Sequence, residues 1–182
     1  MALEVEVKSW IGDHEKMREI LDSRFTPVGE YSKHDVYFRT PSGQRYFRLR
    51  TQGEKQIVTI KKKTVFQGVE ENEETEFTVS DRENFLAFLE ALGCTVYIEK
   101  TKRSRVYRDK DLTVELSHIG DLGWFLEIEK LTVESISDRE RREIRERLLG
   151  LLDDLGVGRK RIEGRYYIEM LAEKLMIEKE RQ

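Results

Sequence analysis

Along eight separate stretches of this chain, apolar and charged residues alternate one by one. Successive side chains of a strand point to opposite faces, so the alternation assigns both faces of each stretch at once. Leu3, Val5 and Val7 point one way and Glu4, Glu6 and Lys8 the other. The same split sets Val36 and Phe38 against Asp35 and Arg39, Phe47 and Leu49 against Arg48 and Arg50, and Val58 and Ile60 against Lys61 and Lys63. It continues with Phe77 and Val79 against Glu74 and Glu76, Val114 and Leu116 against Glu115 and Ser117, and Leu126 and Ile128 against Glu127 and Glu129. Residues 96–107 phase less sharply. Val96, Ile98 and Val106 on one face place Arg103 and Arg105 on the other.

Between the alternating stretches the apolar period lengthens to that of a helix. The spacing predicts helices over 13–25 with Asp13 as cap, from a capping box at Ser80-Asp81-Arg82-Glu83 to Gly93, and from a second box at Ser137-Asp138-Arg139-Glu140 to Gly156. A last helix is expected over 165–179 with Tyr167, Met170, Leu171 and Leu175 inward. Short links join most strands, and helices follow only the first, fifth and eighth. This order favours an α+β fold, a closed eight-stranded antiparallel β-barrel with helices packed outside. Nothing in the composition marks a second domain, so residues 1–182 are read as one.

The helices must bury their apolar stripes against the apolar face of the sheet, which turns the charged face into the lumen. An ordinary barrel of this size fills its interior with packed side chains. Unpaired charge in a dry core is prohibitively costly and paired charge barely breaks even, so a lumen of this composition must be wet and its charge held for function. Charged residues make up 38% of the chain, against roughly 25% in a typical soluble domain. A solvated, salt-bridge-rich surface would explain that excess on any one strand, but less well across all eight.

The formal net charge is −3, so the chain lacks the overall basic field of a non-specific nucleic-acid binder. Cys94 is the only cysteine and rules out an internal disulfide. Met1-Ala2-Leu3-Glu4 shows no basic leader ahead of an apolar core, and no apolar run approaches a membrane span. A cytoplasmic protein with neither membrane nor nucleic-acid partner is expected, and the assembly state stays open, a homodimer included. No phosphate loop, Gly-rich dinucleotide turn or nucleophile triad competes with the lumen as a site. His14, His34 and His118 are read as structural. Clustered carboxylates suit Mg²⁺ or Mn²⁺, while rows of Arg and Lys suit phosphate oxygens; together they suit a metal–polyphosphate complex.

Glu4-Val5-Glu6-Val7-Lys8 resembles the ExExK signature of the CYTH, or triphosphate tunnel metalloenzyme, superfamily. That superfamily includes class IV adenylyl cyclases, thiamine triphosphatases and inorganic triphosphatases. In order along the chain, Asp35-Val36-Tyr37-Phe38, Phe47-Arg48-Leu49-Arg50, Thr59-Ile60-Lys61, Glu74-Thr75-Glu76, Lys102-Arg103-Ser104-Arg105, Gly123 to Glu129 and Arg165-Tyr166-Tyr167 resemble its later motifs. The resemblance implies an enzyme acting on ATP, thiamine triphosphate or tripolyphosphate with Mg²⁺ or Mn²⁺. It implies Glu4, Glu6, Glu74, Glu76, Glu127 and Glu129 at the metals, and Arg48, Arg50, Lys63, Lys102, Arg103 and Arg105 on the phosphates. Lys8, Lys61 and Glu115 are the catalytic candidates. A class IV cyclase is the first expectation, with a triphosphatase or a non-catalytic polyphosphate-binding module as alternatives. Ser117 departs from the pattern, standing where the family usually carries an acid, and Glu115 on the same face is expected to compensate.

Overall fold

The computed structural model describes residues 2–43, 46–133 and 136–180. The outermost residues of the expected 1–182 unit therefore lie outside the description. The elements follow in the order β1 (Ala2–Ile11), α1 (His14–Arg24), β2 (Thr26–Arg39), β3 (Tyr46–Gln52), β4 (Lys55–Phe66), β5 (Val69–Val79), α2 (Arg82–Ala91), β6 (Thr95–Asp109), β7 (Leu112–Ile119), β8 (Gly123–Val133), α3 (Asp138–Asp154) and α4 (Tyr167–Glu180). The strands form a closed barrel in the order β1-β5-β4-β3-β2-β6-β7-β8, with every neighbouring pair antiparallel. Closure leaves no unpaired sheet edge.

The helix starts follow from their caps. Asp13 accepts from the Lys16 amide, and Ser137 and Glu140 form the expected reciprocal box. At α2 the cap is Asp81, which accepts from the Asn84 amide, so the expected Ser80–Glu83 box is corrected by one residue. The aspartate carboxylate makes the same bond as a serine hydroxyl and adds charge at the positive helix end. α4 begins at Tyr167 rather than Arg165, because Arg165 is held by Glu163 while Glu169 accepts the Tyr166 amide.

Apolar burial outside the barrel explains the strand phase. α1 and α3 lay Leu21, Leu148 and Leu152 on Leu3, Val5, Val7, Leu126 and Ile128. α2 brings Leu89 onto Val36, Phe38, Leu49 and Val58. Both sets leave the charged face to the lumen.

α4 behaves differently from the other three helices. Trp10, Phe125, Ile119 and Ile98 continue the inward rows of Lys8, Glu127, Ser117 and Lys100, at the end of the barrel where β1 finishes. Tyr167 and Met170 pack with Ile119 and Phe125, and Ile168 and Leu171 with Ile98. This helix therefore plugs one end of the barrel. Leu175, expected inward, is exposed.

The plug also explains the one strand whose phase was misread. In β6 the inward residues are Lys100, Lys102 and Ser104, all buried, and Ile98 shares their face because α4 covers it. Arg103 and Arg105 thus point outside, a correction to their expected inward phase. Arg105 pairs there with Asp22 of α1 at 3.0 Å and with Glu30 at 2.9 Å.

Candidate metal and phosphate site

The inward faces enclose a cavity of about 820 Å³, within the range of small-molecule sites. Its lining includes Glu4, Glu6, Arg48, Lys61, Lys102 and Glu129. At its centre the β1–β8 register sets Glu6 directly opposite Glu129, with Glu4 one step along the same face. Carboxylate oxygens of Glu4, Glu6 and Glu129 all lie within 4.8 Å of one another.

Like charges this close oppose one another, and each acid answers differently. Burial, joined by the carboxylates of Glu127, Glu4 and Glu70, pushes Glu6 well above the usual carboxylate range. Burial and the Glu4 and Glu115 carboxylates raise Glu129 to about 8. Burial acts on Glu4 in the same sense, but the Lys61 ammonium at 2.9 Å overrides it and holds that acid at about 2. The cluster is thus deficient in positive charge by its own composition. Three hard oxygen donors, two of them prone to protonate when no cation compensates them, fit a small divalent ion. The buried Asn72 amide, whose nitrogen donates to Glu4 at 3.1 Å, leaves its oxygen without a partner beside them.

The other inward acids contact cations, and Glu74 also adjoins Glu4. Glu127 contacts Lys102 and accepts from the Tyr167 hydroxyl at 2.7 Å, and Glu74 contacts Lys61. Glu115 lies 2.8 Å from Lys102 and 3.3 Å from Lys33, so its carboxylate is paired with two cations. Ser117 is fully buried, hydrogen-bonded to Ser104 at 2.9 Å and donating to Glu127 at 3.4 Å. Glu76 sits at the rim, accepting from Thr59 at 2.7 Å with Arg48 at 3.6 Å.

The basic groups differ in how firmly they are held. Arg50 donates twice to Asp35, at 2.7 and 2.9 Å, and Lys100 approaches the same carboxylate at 3.0 Å. Register explains the triad, since Asp35 stands opposite Arg50 on β3 and Lys100 on β6. Arg48 is held more loosely, by Thr59 at 3.3 Å and by the rim acid Glu76. Lys8 pairs with Glu70 at 2.7 Å, and Lys63 donates to the Gly164 carbonyl at 2.7 Å. A difference between the two arginines follows. Arg48→Ala is expected to weaken triphosphate binding by roughly 1.5–3 kcal/mol with little change in melting temperature, as for loss of a charge-assisted hydrogen bond. Arg50→Ala should instead act mainly on stability, by leaving Asp35 underpaired. Calorimetric affinity and thermal unfolding of both variants check the split.

Sequence reasoning missed Lys33, Glu70, Asn72 and Lys100 as lining residues. For Glu70 and Asn72 the signal existed, because they continue the alternation of Glu74 and Glu76 two residues at a time. The histidines are outside the lumen chemistry: His14 stacks on Trp124 at 4.1 Å, His118 meets the same indole edge-on, and His34 bonds Glu99.

The chain resembles known proteins over most of its length. The sequence pattern of the CYTH domain matches residues 2–167. A protein of Methanocaldococcus jannaschii that carries the provisional name adenylate cyclase is 26% identical, over 92% of this chain and 98% of its own. Among solved structures, the PH1012 protein of Pyrococcus horikoshii is 28% identical with a TM-score of 0.76, covering 91% of this chain and 98% of that one. The PH1819 protein of the same organism is 25% identical with a TM-score of 0.80, covering 94% and 99%.

Proposed function

The chain belongs to the CYTH domain family, and on that premise we propose that it is a divalent-metal-dependent enzyme of the class IV adenylyl cyclase type, converting ATP to cyclic AMP and pyrophosphate in its lumen. The observation that carries this reading is the Glu4–Glu6–Glu129 cluster lining one cavity with Arg48, Lys61 and Lys102. The provisional name of the Methanocaldococcus relative supports the same choice.

In this reading Glu4, Glu6 and Glu129 would hold Mg²⁺ or Mn²⁺, which when bound would neutralise charge on the phosphates and on the departing pyrophosphate. Arg48, Lys61, Lys63 and Lys102 bind the phosphates, and Lys8 extends the cation row. Glu74 and Glu127 orient Lys61 and Lys102 through their direct contacts. The 3′-oxygen forms its bond to the α-phosphorus as the bond from that phosphorus to the pyrophosphate oxygen breaks, and the hydroxyl proton leaves to solvent. Phosphoryl chemistry of this kind needs mainly positioning and charge neutralisation. No helix of the described chain is long and apolar enough to cross a membrane, and the lone Cys94 fits the proposed reducing cytoplasm.

The test is incubation with ATP, thiamine triphosphate and inorganic tripolyphosphate, each with Mg²⁺ or Mn²⁺, and identification of products by mass. Cyclic AMP with pyrophosphate is the expected result. Release of orthophosphate from any of the three would make the protein a triphosphatase, and tight binding without product a polyphosphate-binding module.

A further inference from the structure

The inward row of β5 reads Glu70, Asn72, Glu74 and Glu76, a single neutral residue in a run of acids. Pairing between strands fixes its surroundings, for Asn72 stands opposite Glu4 on β1 and opposite Lys63 on β4. Asn72 is 1% exposed and lines the lumen. A side-chain amide carries two donors and an acceptor. Its nitrogen donates to Glu4 at 3.1 Å, and that bond sets the orientation of the group, since the reverse would press the amide oxygen against a carboxylate oxygen. The amide oxygen is left with no donor among the described residues. Lys63, the cation directly across from it, is turned instead to the Gly164 carbonyl at 2.7 Å and to Glu70 at 3.5 Å.

A buried acceptor without a donor is destabilising, and native folds rarely keep one without a use. The carboxylate that Asn72 holds belongs to Glu4, one of the three acids whose oxygens meet. β8 supplies Glu129 to that cluster, β1 supplies Glu4 and Glu6, and Asn72 borders it from β5. Amide carbonyl oxygens are hard donors that serve alongside carboxylates in divalent-cation sites. A neutral donor also suits this place, because it adds a bond to the cation without adding repulsion to acids already crowded by like charge. Resting on the divalent-metal reading above, we propose that Asn72 is a fourth protein ligand of the Glu4–Glu6–Glu129 site, its side-chain oxygen binding the same cation while its nitrogen positions Glu4.

The chain contains only two asparagines, Asn72 and Asn84, and Asn84 lies outside the lumen, bonded to Asp81 in the first turn of α2. Asparagine labelled with ¹³C at its side-chain carbonyl therefore reports on Asn72 almost alone. The labelled full chain, loaded with Mn²⁺ and nothing else, is expected to show a ¹³C contact coupling in electron–nuclear double resonance, an interaction transmitted only through bonds. The coupling should survive Asn84→Ala and disappear in the nearly isosteric Asn72→Leu, with Asn72→Ser in its place if circular dichroism shows the leucine variant unfolded. Calorimetric Mn²⁺ affinity should fall at least about tenfold in the same variant, the scale on which metal sites respond to loss of a supporting group. Asn72→Asp separates ligation from mere support of Glu4, since it keeps an oxygen and gives up the donated bond; it should bind Mn²⁺ at least as tightly as the wild type. The assignment is overturned if the wild type binds Mn²⁺ without the Asn72 coupling, if folded Asn72→Leu keeps full affinity, or if Asn72→Asp loses as much affinity as Asn72→Leu. A wild type that binds no Mn²⁺ would instead sink the metal reading itself, and this ligand with it.

Discussion

Glu6→Gln is expected to lower metal-dependent turnover by at least about a thousandfold, roughly 4 kcal/mol of barrier, while leaving the protein folded. Glu6 stands directly opposite Glu129 in the carboxylate cluster, so the amide removes a charged donor from the only three-acid group found among the described residues. The fold should tolerate the change. Burial and three neighbouring carboxylates already disfavour the charge of Glu6, and a neutral isostere relieves that repulsion. The melting temperature without metal should therefore equal or exceed that of the wild type at neutral pH. Titration with Mn²⁺, followed by electron paramagnetic resonance, should show the high-affinity binding of the wild type lost in the variant. Retained turnover in a well-folded Glu6→Gln protein would remove the metal assignment, and chelation of the wild type with EDTA should abolish activity without unfolding it.

Asp35→Asn should produce the largest change in stability, a loss of about 3–5 kcal/mol, because it leaves buried cations without their counter-charge. Asp35 is 0% exposed and faces Arg50, Lys100 and, at 4.0 Å, Arg48. Burial alone would push its carboxyl up, but Lys100 and then Arg50 hold it well below the ordinary 3.8. A depressed acid contributes stability that is present above its unfolded value and lost as pH falls through its folded value. The gap between wild type and variant should accordingly stay constant from neutral pH down to about 4 and close only in stronger acid. Thermal or urea unfolding across that range measures it. A gap that closes between pH 7 and 5 would mean that other groups, and not this carboxylate, carry the difference.

The largest effects thus fall on residues that the strand alternation alone had turned inward, Glu6 and Asp35 among them. That much was legible because the period of two is a local property of each strand, and because only one face of each strand can be covered by apolar helices. Glu4, Glu127, Glu129, Arg48 and Lys61 were placed in the lumen by the same reasoning. Which of them meet was not legible. The contact of Glu4 and Glu6 with Glu129 depends on the register between the first and last strands, set only when the barrel closes, whereas Glu74 and Glu127 fall opposite lysines.

The same limit applies where local periodicity was broken. In β6, Ile98 is apolar yet inward because α4 covers it, and the bulge beside it shifts the phase by one residue. Arg103 and Arg105 therefore went to the wrong face, and Lys100 was missed. Alternation by itself determined that this chain has a charged interior and an apolar exterior. The tertiary structure alone decided which acids share a cation, which arginine is held more loosely, and where the lumen ends, because each depends on distances between segments far apart in sequence.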